Sequence, residues 1–149
     1  MALSDVSICN HALGWIGGNI IITLNDDSNE AKLCKANYEI LRDSLTEAAD
    51  WTFAMMRFIP ASLVAAPIWG YLYEFQIPYN ILRTIYVGRS TRPEEDDPVE
   101  EWIKEGQLIL TNQAIIYCRG IGRVEDPARF SFLFAQALAA RLAMDLAVP

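Results

Sequence analysis

The chain contains 149 residues, is 52% hydrophobic and carries a formal net charge of −7. A length in this range predicts one domain, residues 1–149, and the hydrophobic content is sufficient for an ordered core. The negative charge argues against a protein that binds nucleic acid phosphates over its whole surface, because such binding requires many Lys and Arg side chains. Cys9, Cys34 and Cys118 are widely spaced without a C-x-x-C pair, which is typical of reduced thiols.

Two helices are predicted in the first third of the chain. The first covers residues 5–16, and Ser4 precedes it as an N-cap. The second covers residues 28–49, where Asp27 and Glu30 have the spacing of a capping box. Apolar residues recur every three or four positions in both segments, so we expect the two helices to pack antiparallel on each other.

A third helix is predicted over residues 127–147. It starts with Asp126 as N-cap and Pro127 at the first helical position, where a missing N–H costs nothing. The apolar run here is interrupted by Gln136, Arg141 and Asp145, so we interpret it as a buried helix and not as a membrane span. The first residues of the chain lack a basic segment, so no signal peptide is expected.

The middle of the chain alternates between apolar and polar residues, which predicts strands. Glu105-Gly106 is a plausible tight turn within an antiparallel meander, and residues 88–98 read as a charged loop. The fold class is therefore α+β: a helix-rich subunit with two N-terminal antiparallel helices, a C-terminal helix and a small antiparallel sheet. The strands are expected near residues 74–78, 83–87, 99–104, 107–111 and 114–119.

Two groups of side chains are candidates for contacts with other subunits. Aromatic residues are enriched at interfaces, and a helix that is apolar on most sides needs cover from several directions. The predicted interface residues are Trp69, Tyr71, Tyr73, Phe130, Phe134 and Arg141.

Residues 89–105 hold seven acids and three bases, and so −4 of the net charge of −7. The centre of this segment is formed by Glu94, Glu95, Asp96 and Asp97. Most charge runs of this kind are solvated loops.

No catalytic, cofactor-binding or metal-binding set is predicted. His11 is the only histidine, and its neighbour Ser7 on the same helix is not in a known nucleophile arrangement. The acid pairs Asp26-Asp27 and Asp96-Asp97 would have to flank a cleft to act as glycosidase carboxyls, and a metal would need further oxygen ligands. The chain is therefore predicted not to be an enzyme.

Residues spread over most of the chain occur in an order that resembles one known family. In the first half these are Ser7–Asn10, Ala12–Gly14, Leu24, Asp26–Ser28, Glu30–Ala31, Cys34, Tyr38, Arg42–Asp43, Trp51, Phe53–Ala54 and Arg57. Further on they are Trp69–Tyr71, Tyr73, Pro78, Gly106, Leu110–Thr111, Asp126–Pro127 and Ala137–Ala143. This order resembles the head-to-tail adaptor, or connector, proteins of short-tailed bacteriophages, the tail tubular protein A family. The chain departs from that pattern at Asp50, where relatives often have His-Pro, and at Pro149, where relatives usually continue.

The resemblance implies a structural virion protein that needs no cofactor. The members of this family form a homo-oligomeric ring of about twelve copies, which is a closed assembly with cyclic symmetry. The ring lies at the neck of the virion, between the portal protein and the tail nozzle or tube protein, after assembly in the host cytoplasm. Double-stranded DNA passes through it without specific binding during packaging and ejection, and an acidic wall would repel that DNA. In that setting we hypothesise that some of the acids at residues 94–97, namely Glu94, Glu95, Asp96 and Asp97, face the channel or a partner. No membrane is involved.

Two other functions stay open at the level of sequence. One is a head-completion or tail-terminator connector of another phage class, which would also form a ring. The other is a phage lytic hydrolase that uses acidic side chains.

Overall fold

The computed structural model describes residues 3–92 and 96–147. They form three α-helices and two small antiparallel sheets, so the predicted α+β class is confirmed. The chain divides into two compact units, whereas its length predicted one domain. The first unit comprises Met1–Ala49 and Val124–Pro149, and the second comprises Asp50–Arg123.

The first unit contains helices α1 (Asp5–Ile16), α2 (Asn29–Glu47) and α3 (Phe132–Leu146). Helix α1 begins where predicted: the Ser4 hydroxyl accepts a hydrogen bond from the Ser7 amide, and the Ser7 hydroxyl accepts one from the Ser4 amide. It ends at Gly17, whose φ of 75° lies in the left-handed region that glycine adopts at low cost.

Helix α2 begins one residue later than predicted and has a different cap. The Ser28 hydroxyl accepts from the Ala31 amide, and the helix ends at Glu47. Asp27, which the sequence suggested as the cap, instead lies 3.3 Å from the Lys32 ammonium in an exposed ion pair.

The start of the third helix also differs from the prediction. The Asp126 carboxylate does cap a turn, by accepting from the Ala128 amide, but that turn is a short 3₁₀ helix at Pro127–Arg129. Helix α3 begins only after Ser131, whose hydroxyl accepts from the Phe134 amide. Two capping side chains five residues apart therefore divide the segment that was predicted as one helix.

Helix α3 supplies the centre of the core of the first unit. Phe134, Leu138 and Leu142 recur four residues apart and are fully buried. The alanines between them let other backbones approach closely, and α3 packs against both α1 and α2. Helices α1 and α2 contact each other less than either contacts α3. The three helices are therefore held together mainly through α3, and less by the packing of α1 on α2.

The described residues of the second unit form seven strands: β1 (Met55–Phe58), β2 (Ala61–Ser62), β3 (Tyr73–Gln76), β4 (Ile81–Gly88), β5 (Trp102–Glu105), β6 (Leu108–Thr111) and β7 (Tyr117–Gly122). One sheet has the order β1-β7-β4 and the other β2-β3-β6-β5, and every pairing is antiparallel. Gly106, with φ of 58°, makes the predicted tight turn between β5 and β6.

The predicted meander stops after β6. The strand expected at residues 114–119 is β7, and it pairs with β1 and β4 in the other sheet. The sequence pattern did not reveal β1 and β2, because Pro60 and Pro67 make that stretch irregular. One apolar core lies within this unit, formed by Phe75, Ile77, Ile81, Val87, Val99, Ile109, Ile116 and Cys118.

Candidate interaction surfaces

The segment between β2 and β3, residues 63–72, is the most apolar exposed part of the second unit; we call it the tryptophan loop. Ile68 is 99% exposed and Trp69 is 84% exposed, and Val64 and Leu72 are also exposed. Single exposed apolar side chains are ordinary, whereas several within one short segment make that segment a candidate binding surface. The loop therefore presents an apolar surface that the chain itself leaves uncovered.

Both ends of the tryptophan loop are fixed by hydrogen bonds. The Leu63 amide donates to the Glu74 carbonyl at 2.9 Å, and the Leu72 amide donates to the Asn112 side-chain oxygen at 3.0 Å. Gly70, next to Trp69, has φ of 96°, a backbone conformation that favours glycine. A cavity of about 320 Å³ lies against the loop, with Ile103 of β5 and Leu110 of β6 in its wall.

The predicted aromatic cluster lies in and next to this loop. Trp69 is exposed, Tyr71 is half-buried, and Tyr73 begins β3 opposite Thr111. The sequence prediction omitted Val64 and Ile68, which share the loop. The signal for them was present: residues 63–69 contain no charged side chain.

The structure separates the interface residues predicted for the C-terminal segment. Phe130, which lies before α3, and Phe134 of α3 are both buried in the first unit, with ring centroids 4.7 Å apart in an edge-to-face contact. In the single chain they therefore belong to the core and not to the surface. Arg141 is exposed. The apolar side chains that α3 leaves exposed are Phe132, Leu133 and Met144.

Of the four candidate channel acids, Glu94 and Glu95 lie outside the described residues. Asp96 and Asp97 are exposed. Asp96 accepts a hydrogen bond from the Tyr86 hydroxyl at 3.4 Å, and Asp97 lies 3.8 Å from the Arg89 guanidinium. Both described acids thus have contacts within their own unit and remain accessible to solvent.

The sequence analysis considered His11 and the acid pairs as candidates for catalysis or metal binding, and the structure shows what surrounds His11 and Asp26. The His11 ring contacts the Trp15 ring in a tilted arrangement, with centroids 4.4 Å apart. The backbone amides of Ile22 and Thr23, together with the Thr23 hydroxyl, donate to Asp26 and hold the pKa of that carboxyl below its usual range. Among residues 3–92 and 96–147, no three His, Cys, Asp or Glu side chains converge as a group that could hold a metal ion.

The buried thiols Cys9 and Cys34 interact with each other. A hydrogen bond to Cys34, and burial, raise the pKa of Cys9. Both side chains are fully buried on the packed faces of α1 and α2, where they act as small core residues.

No protein-family model matches the chain, and no curated protein sequence matches it. Within the described residues, none of the helices has both the length and the apolar character needed to cross a bilayer.

Proposed function

We propose that this protein is a structural subunit of a bacteriophage head-to-tail connector, which assembles into a ring between portal and tail and surrounds the passing DNA. The observation that carries the proposal is the exposed tryptophan loop. Its apolar side chains stay in water in the single chain although both ends of the loop are fixed, which is expected of a surface that another protein covers.

Ring assembly makes a specific demand on a subunit. In a ring of identical subunits, one surface of each copy contacts a different surface of the next copy. Each chain must therefore carry two contact patches. The tryptophan loop is one candidate, and the exposed face of α3, formed by Phe132, Leu133 and Met144, is a second. The order of residues that resembles phage adaptors supports the same proposal from the sequence.

The exposed acids Asp96 and Asp97 supply the negative surface that a DNA channel would need. Like charges repel, so an acidic wall lets DNA pass without adhering. A solvated loop remains the simpler role for them. Replacing both by Asn and measuring adhesion of DNA to the assembled ring distinguishes the two roles.

Sedimentation velocity over a range of protein concentrations tests the ring. We expect a discrete assembly of many copies, visible as rings by negative-stain electron microscopy. The double variant Ile68→Ser, Trp69→Ser should shift the chain towards monomer without loss of secondary structure. Tyr79→Ser is the matched control, because Tyr79 is 87% exposed in the same unit but lies outside the loop.

A wild-type chain that sediments as a monomer at every concentration would count against the ring. Equal loss of assembly in the Tyr79→Ser variant would count against the tryptophan loop as the contact surface.

A further inference from the structure

Two arginines occupy directly opposed positions on neighbouring strands of the second unit. Arg57 of β1 pairs with Arg119 of β7, and both side chains are exposed. Side chains at opposed positions of an antiparallel pair lie on the same face, and like charges there destabilise the sheet. Within residues 3–92 and 96–147, neither guanidinium has an acidic partner at ion-pairing distance.

The third strand of this sheet extends the same row. Tyr86 of β4 is the partner of Arg119 on the other side, and the Arg119 guanidinium lies 5.5 Å from the centre of the Tyr86 ring. Tyr117 stands two residues before Arg119 on β7 and so shares its face. The face thus combines two guanidiniums with two aromatic rings, which is a combination that binds flat anionic ligands.

Glycine makes room for this arrangement. A Cβ at Gly88 would lie 2.6 Å from the Tyr86 ring, so the ring can lie along the strand only because position 88 has no side chain.

A cavity of about 800 Å³ opens on this face, which is the size range of small-molecule sites. Its walls include Arg57, Arg119 and Tyr86, together with Ser90 and Thr91. Arg92 and Asp96 also line it.

We infer that this cavity is a binding site for a nucleotide carrying a phosphate monoester. A phosphate monoester carries about −1.5 to −2 charges at pH 7 and three acceptor oxygens, so one such group can accept hydrogen bonds from both guanidiniums. The phosphate bridges Arg57 and Arg119 and removes the repulsion between them. The ring of the nucleotide lies against Tyr117 and the side chain of Ile59, which follows β1 and is 68% exposed. This site is independent of ring assembly.

Isothermal titration calorimetry of the full chain with adenosine 5′-monophosphate tests the inference. We expect saturable binding at low ionic strength. Arg57→Gln and Arg119→Gln should each weaken it by about tenfold or more, because each removes a charge-assisted hydrogen bond. Arg129→Gln is the matched control, since Arg129 is an exposed arginine of the other unit, and it should bind as the wild type does.

Three further ligands separate the contributions of the phosphate and of the nucleoside to binding. Adenosine, which lacks the phosphate, should not bind, and inorganic phosphate should bind more weakly than the nucleotide. A short oligothymidylate without terminal phosphates should not compete; tighter binding of that strand would replace the nucleotide by a nucleic acid backbone and overturn the inference.

Unliganded stability provides a readout that a purely structural role would not produce. Arg57→Gln removes one of two opposed like charges, so the thermal midpoint without ligand should be unchanged or higher. Absence of nucleotide binding to the wild type, equal binding of adenosine, or equal weakening by Arg129→Gln would each overturn the inference.

Discussion

The side chain of Asn10 pairs with the backbone of Ile21 through two hydrogen bonds. Its Oδ1 accepts from the Ile21 amide at 2.8 Å, and its Nδ2 donates to the Ile21 carbonyl at 2.9 Å. Ile21 is 3% exposed, so both of these backbone groups lie in a place that water hardly reaches. One amide side chain on α1 thereby fixes the link between α1 and α2.

Replacing Asn10 by Ala should lower the free energy of unfolding by about 1–3 kcal/mol, because it leaves two backbone groups unpaired. Urea denaturation measures the loss. Asn37→Ala is the control: its side chain donates only to the Leu33 carbonyl on an exposed helix face, and the variant should lie close to wild type. Equal effects of the two variants would contradict the special role of Asn10.

Replacing either of two phenylalanines on α3, which lie two residues apart, by alanine should have different effects on stability. Phe134→Ala should lower the free energy of unfolding by about 3–5 kcal/mol, because it leaves a cavity at a fully buried site. Phe132→Ala should leave monomer stability nearly unchanged, since that side chain is 73% exposed, and should weaken self-association instead. Denaturation and sedimentation of the same two variants check this; a strongly destabilised Phe132→Ala would contradict it.

Two glycines should also respond oppositely to alanine. Gly14 is exposed on α1, and a Cβ added there would meet no atom within 4 Å, so Gly14→Ala should stabilise by about 0.5–1 kcal/mol through helix propensity. At Gly120 a Cβ would overlap the Arg83 carbonyl oxygen, and backbone cannot yield as a flexible side chain does. Gly120→Ala should therefore destabilise by about 1–3 kcal/mol. Thermal unfolding of both variants gives the two signs.

Cys118 makes stability depend on alkaline pH. Burial raises its pKa from 9.0 to about 12. Below pH 9 the Cys118 thiol is protonated in both the folded and the unfolded chain. Above pH 9 the thiol of the unfolded chain loses its proton, whereas that of the folded chain keeps it up to about pH 12. The free energy of unfolding therefore falls progressively between these two pH values. The expected slope is about 1.4 kcal/mol per pH unit within that window.

Cys118→Ala isolates this contribution. The variant loses packing at every pH, but its urea midpoint should fall less steeply than that of the wild type as pH rises above 9.0. Parallel curves for the two proteins over that range would show that Cys118 does not titrate as its burial requires.

Local signals predicted the helices well. Helix α1 begins after Ser4 and ends at Gly17, as expected. The sequence predicts such a start because an N-cap depends only on one side chain and the few backbone amides next to it. The same signals were less decisive where two capping residues lie close together. Ser28 and not Asp27 caps α2, and Ser131 caps α3 while Asp126 caps the short 3₁₀ helix before it. Ser and Asp are both favoured N-caps, so the sequence pattern alone does not choose between them.

The candidate surfaces could be predicted in part. The exposed aromatic segment around Trp69 was visible as an apolar run next to two prolines. The row of Arg57, Arg119 and Tyr86 was not, because these residues are up to sixty-two positions apart and come together only through the pairing of β7 with two other strands.

By itself the sequence determined the helices, most strands, the tight turn at Gly106 and the abundance of apolar side chains, since these depend on residues near one another along the chain. The tertiary structure alone decided that β7 leaves the meander, that Phe134 is buried while Phe132 is exposed, and that two arginines oppose each other. These features depend on strand register and helix orientation, which are set by contacts between distant segments and not by local preference.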